Sequence, residues 1–168
     1  MVRDQLQSAV LLESKAIVRP LLEYSPCVWD PSTNKDVNKI EMVQRRAARY
    51  VLNRYHNTSS VSSMLAELKW PSLQERRQLA RLTMLFKVSN KLVETPGLSE
   101  RLIPANRTSR HQNSNSYQIP DTPKDFIKNS FIPRTIREWN KLPEDTITCK
   151  TIESFKTRLI RLNQHHPP

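Results

Sequence analysis

Glycine is nearly absent from this 168-residue chain; Gly97 is the only one. Glycine enters left-handed backbone without a Cβ penalty, so its scarcity leads to an expectation of few left-handed turns and argues against hairpin-rich folds. A glycine-rich phosphate loop is excluded for the same reason. Cysteine is scarce too. Cys27 and Cys149 stand far apart in the chain, without the CxxC spacing of a metal site. They read as buried free thiols in a reducing compartment. His56 and His111 lie in polar stretches and His165-His166 in the tail, so no clustered Cys and His set is present for a zinc knuckle. No apolar run approaches the ~18 residues of a membrane span. Arg3, Asp4 and Gln5 give the start of the chain no signal-peptide shape. These absences lead to the expectation of an intracellular protein, nuclear and/or cytoplasmic, with no membrane partner, no cofactor and no small-molecule substrate.

Positive charge and proline are what the chain has in quantity. Lys and Arg number 27 against 16 Asp and Glu, a net charge of +11. Such a field gathers polyanions at the surface, and nucleic acid is the usual one. Twelve prolines punctuate a chain of 37% hydrophobic content, which suits helices joined by proline and Asx turns. The fold expected is mostly α: an irregular bundle of about five to six helices with a long polar loop around 104–124. One helical domain over 1–168 is expected, with possible sub-lobes 1–103 and 125–162 joined by that loop. Residues 163–168 are expected to form a disordered tail.

Individual helices follow from periodicity and caps. Residues 5–24 read as a helix interrupted at Pro20. Pro26 and Pro31 bracket Trp29, expected as a plug of the core. A second helix runs from Thr33–Lys35 to about Asn53, closed by Arg54, with Val37, Ile40, Val43, Ala47, Tyr50 and Val51 as its apolar stripe. Lys35, Lys39, Arg45, Arg46 and Arg49 fall opposite. Ser59 or Ser60 caps a short helix carrying Met64 and Leu65. Ser72 and Glu75 make a capping-box pattern ahead of a helix over 73–93 that is apolar almost all round and hence central. Its Arg76, Arg77 and Arg81 are expected to emerge at one end. Residues 104–124 are Asn, Ser, Thr, Arg, Gln and Pro with Tyr117 and Ile119 as the large apolar side chains, so a surface loop, partly disordered, is expected. Pro133 opens a helix that stops before Pro143 and places Ile136 and Trp139 on one face. Thr151 caps a last helix to about residue 162, striped by Ile152, Phe155, Leu159 and Leu162.

Four blocks in order carry a resemblance to a known family. They are Val18-Arg-Pro-Leu-Leu-Glu-Tyr24 with Val28-Trp-Asp-Pro31; Val43-Gln-Arg-Arg-Ala-Ala-Arg49; Trp70-Pro-Ser-Leu-Gln-Glu-Arg-Arg77; and Asn129-Ser-Phe131 through Trp139-Asn-Lys-Leu-Pro143. With Ile152-Glu-Ser-Phe-Lys156 they resemble the region downstream of the polymerase core in non-LTR retrotransposon reverse transcriptases of the jockey and chicken-repeat type. The resemblance implies a family activity of RNA-directed DNA polymerisation in target-primed reverse transcription, with the upstream polymerase domain of the same element as a partner. The catalytic core itself is not here. Right-hand polymerases hold two divalent ions on paired aspartates, and Asp30, Asp36, Asp121, Asp125 and Asp145 are isolated. No enzyme is expected.

Candidate contacts to an RNA or DNA backbone are Lys35, Lys39, Arg45, Arg46, Arg49, Arg54, Arg76, Arg77, Arg81, Arg134 and Arg137. Guanidinium forks suit phosphate oxygens, but the same side chains serve equally as a solvated face or as partners of Glu41, Glu138 and Glu144. Trp29, Trp70 and Trp139 can stack on bases, yet each sits beside proline or leucine, as a core anchor does. A non-catalytic nucleic-acid-binding segment is the first expectation. A helical scaffold without intrinsic nucleic-acid binding, including a degenerate transposon remnant, is the alternative.

Overall fold

The computed structural model describes residues 19–56, 59–106 and 113–165. The chain is mostly helical, 58% of it, with no strand among the described residues. In chain order the helices are α1 (Arg19–Glu23), α2 (Asn34–Leu52), α3 (Val61–Glu67), α4 (Leu73–Ser89), a 3-10 turn (Ser99–Arg101), α5 (Asp125–Lys128), α6 (Phe131–Trp139), α7 (Glu144–Ile147) and α8 (Ile152–His165). The short α5 and α7 were not expected from periodicity, because four residues hold no repeat to detect. Residues 5–18 of the expected first helix lie outside the described residues. So does His111.

Two compact units are present, divided between Arg77 and Gln78 inside α4. In the first unit, the Thr33 hydroxyl accepts the Asp36 amide and starts α2. The Ser60 hydroxyl does the same for α3 through Ser63. The Ser72 hydroxyl accepts the Glu75 amide at the start of α4. A second donor of that helix start, the Gln74 amide, is taken by the Glu41 carboxylate of α2 at 3.0 Å. The buried face of α2 is Gln44, Ala48 and Val51. It is turned from the expected stripe, leaving Val43 and Tyr50 exposed. Gln44 is buried because its amide donates to the Pro71 carbonyl at 3.0 Å while its carbonyl oxygen accepts from Arg76. A satisfied glutamine costs little to bury, and the small Ala48 admits close packing beside it.

Trp29 is not the expected core plug. It is 41% exposed, and the Arg77 guanidinium lies 3.9 Å from its ring centroid. The proline-bracketed turn is held instead by Arg77, which donates to the Trp29 carbonyl at 2.9 Å, the Leu22 carbonyl at 2.6 Å and the Asp30 carboxylate at 3.3 Å.

The second unit is built on a cluster of Leu82, Leu85, Phe86, Trp139, Ile147, Phe155 and Leu159. Here the all-round apolar character of α4 does place it at the centre, although the helix ends at Ser89 and leaves Leu92 and Val93 exposed. Trp139 is a core anchor, 1% exposed, with its ring centroid 5.8 Å from Phe155. Phe155 in turn stacks on Phe86 at 4.3 Å. The polar stretch expected as a surface loop behaves differently where it is described. Asn113 and Ser116 are buried. Asn113 donates to the carbonyls of Trp139 and Leu142. The Trp139 indole donates to the Asn115 carbonyl at 3.0 Å. Asn140 and Tyr117 exchange a donor and an acceptor through the Asn140 amide, and the Tyr117 hydroxyl meets Ser89 at 2.7 Å. Polar composition therefore marks a strap whose amides close the buried end of α6, not a loop left in water. Helix α8 runs on to His165, past the expected end near residue 162.

Candidate nucleic-acid interface

The eleven cations singled out by the sequence separate into two sets. Lys35, Arg45 and Arg46 are exposed on α2 and have no ion-pair or hydrogen-bond partner among the described residues. Lys39 is exposed beside them and pairs with Asp36 at 2.9 Å. Arg49 is half-buried on the same side, and its Nε finds no hydrogen-bond partner among the described residues. Lys35, Lys39 and Arg46 lie on the side of α2 opposite the buried Gln44, Ala48 and Val51, and Arg45 and the half-buried Arg49 flank that side. The helix contains two carboxylates, and neither neutralises the middle of this face. Asp36 lies at its start, and Glu41 is engaged with α4. The Asp36 carboxyl is held below its ordinary value by hydrogen bonds from Lys39 and then Thr33.

The other set is engaged in structure. Arg54 forks onto Glu67 at 2.7 and 3.3 Å, tying the end of α2 to α3. Arg76 bridges Glu23 and Gln44. Arg77 and Arg81, both only 2% exposed, do not emerge at a helix end as expected. Arg81 grips both oxygens of Glu138 at 2.8 and 2.9 Å. Arg134 stands 3.7 Å from the same carboxylate. Arg137 donates to the carbonyls of Pro133 and Lys128, the latter at the last turn of α5. Glycine-poor, carbonyl-rich turns need donors, and the sequence pattern does not distinguish an arginine that supplies them from one that faces solvent.

Tyr50 was overlooked by the sequence reading. The hydropathy wheel counts a tyrosine with the apolar stripe, but this ring is 60% exposed and lies one turn from Arg46 on the outer face. Met42 and Val43 are exposed on the same side. Gln44 was the available clue: a polar residue at the centre of the true buried stripe displaces it around the helix.

Elsewhere, a cleft of about 580 Å³ in the second unit is walled by Leu79, Leu82, Leu142, Pro143, Leu159 and Leu162. Its titratable side chains are Glu138, already bound by Arg81, and Lys141. Among the described residues no group of three or more His, Cys, Asp or Glu comes together that could hold a metal ion. No helix among them is long and apolar enough to cross a membrane. No known family model, no curated protein and no solved structure matches this chain.

Proposed function

We propose that this chain is a non-catalytic nucleic-acid-binding segment that holds the phosphate backbone of RNA or DNA on the outer face of α2, as an accessory part of a retrotransposon reverse transcriptase, inside the cell. One observation carries the reading: Arg45 and Arg46 are exposed without carboxylate partners among the described residues, on a helix that also exposes Lys35 and Lys39 and half-exposes Arg49. Guanidinium groups left unpaired in water suit phosphate, which takes their forks bidentately. The net charge of +11 adds a field that draws polyanions to the chain. Phosphate contacts position a strand without reading its sequence, so little sequence preference accompanies this binding.

Salt titration tests it. If the α2 face neutralises about four phosphates, log K falls against log[salt] with a slope of roughly −3 to −4, shallower on single strands. Reversal of Arg45, Arg46 and Arg49 to Glu flattens the slope. The exposed Met42, Val43 and Tyr50 favour a second reading, in which this face docks on a protein such as the polymerase body of the same element. Slopes that do not distinguish wild type from the triple variant would favour that scaffold reading.

A further inference from the structure

We infer that the nucleic acid taken by the α2 face is single-stranded, and that Tyr50 is the platform on which one of its bases stacks. The inference rests on the phosphate-binding reading and gives it a substrate class. Lys39, Val43, Arg46 and Tyr50 follow one another at spacings of four, three and four residues, so they form a single row along the helix. The row alternates a cation with an apolar or aromatic side chain. Phosphates alone would be served by the cations, and they give no use to an exposed ring.

Tyr50 is the decisive member. Its ring is 60% exposed in a helix whose buried stripe lies to one side of it. Its phenol hydroxyl makes no hydrogen bond among the described residues. Arg46 stands one turn earlier on the same helix. A duplex hides the faces of its bases and displays only groove edges, which are read by hydrogen-bonding side chains. Val43, Met42 and a tyrosine ring offer little to such edges. Unstacked bases of a single strand present π-faces that a ring beside a cation accepts whatever the sequence. The preference expected is therefore for strand state and not for base identity.

The test measures affinity of the purified full chain for labelled oligothymidylate and for a duplex of equal length, with Tyr50→Ala, Tyr50→Phe and the Arg45, Arg46, Arg49 to Glu triple variant. Tyr50→Ala is expected to weaken oligothymidylate binding by about five-fold to a hundred-fold and to leave duplex binding within about two-fold. Tyr50→Phe keeps the ring and retains the affinity. The triple variant weakens both ligands. An equal loss on both ligands with Tyr50→Ala, or no loss on either, overturns the stacking assignment while a charge-dependent wild type keeps the phosphate reading. Salt slopes that ignore the triple variant overturn both. Should Tyr50→Ala fail to fold, Tyr50→Gln, a good helix former without a ring, is read in its place with the same outcomes.

Discussion

Arginine side chains of the same chemistry do opposite work within this chain, and burial decides which. Arg45 and Arg46 face water. Arg77 and Arg81 are sunk among carbonyls and carboxylates at 2% exposure. A guanidinium is costly to bury without carbonyls or carboxylates to meet its charge, and removal of one member of such a pair leaves the other without its match. Arg81→Ala is therefore expected to destabilise the protein by about 2–4 kcal/mol, through the Glu138 carboxylate that it leaves behind, and to leave the salt slope of nucleic-acid binding as it was. Urea unfolding and the salt titration check the two halves of that statement separately. Trp139→Ala removes the ring that meets Phe155 and Tyr117 and is expected to cost about 3–5 kcal/mol, read in the same unfolding experiment. The burial of Trp139 was legible in the sequence from its spacing to Ile136 and the facing stripe of α8. The exposure of Trp29 was not, because only the three-dimensional arrival of Arg77 gives that ring a cation to lie under.

Helix ends show what local chemistry reveals and what it conceals. The starts at Thr33, Ser60, Ser72 and Thr151 are readable, since a hydroxyl that accepts an amide three residues on needs nothing from the rest of the fold. The stops are another matter. Helices α2, α3 and α4 end with Asn53, Lys69 and Lys91 in left-handed backbone, at φ of 50°, 52° and 54°. Each is followed by a residue whose amide reaches back to the helix, Arg54 to Arg49, Trp70 to Leu65 and Leu92 to Lys87. These are the positions at which glycine is the usual residue. The scarcity of glycine therefore did not remove left-handed turns; it put side chains with a Cβ into them. Lys91→Gly is expected to stabilise by about 0.5–1 kcal/mol, the relieved strain being partly offset by a freer unfolded chain, and to raise the thermal midpoint. At the other end of α2, the depressed Asp36 carboxyl ties the first turn to pH. A group whose folded pKa is lowered contributes stability above its unfolded pKa and loses it as pH falls through the folded value, so this turn weakens below about pH 4. Lys39→Met removes the main cause, and NMR titration of the Asp36 carboxyl should then show its midpoint moved upward.

For the molecule as a whole, the prediction is catalytic silence. The motive is the isolation of every aspartate in the sequence from another, where a two-metal polymerase needs a pair. Primer extension with Mg²⁺ or Mn²⁺ on a primed RNA or DNA template is expected to give no incorporation. Template-dependent extension that a single carboxylate substitution abolishes would overturn it.

By itself the sequence determined the helical class, the boundaries of α2 within a residue or two, the caps, the central place of α4 and the excess of positive charge. All of these follow from periodicity, hydroxyl chemistry and composition, which act over a few residues. Tertiary structure alone decided the rotation of the buried face of α2, the exposure of Tyr50, the burial of Arg77 and Arg81, and the strap of Asn113–Tyr117 around Trp139. Each of these depends on which distant carbonyl or carboxylate a polar side chain meets. Hydropathy assigns glutamine, arginine and asparagine to water, yet a polar group that meets a partner inside the fold can be buried. That partner, Pro71 for Gln44 or Glu138 for Arg81, lies tens of residues away and becomes a neighbour only when the chain has folded.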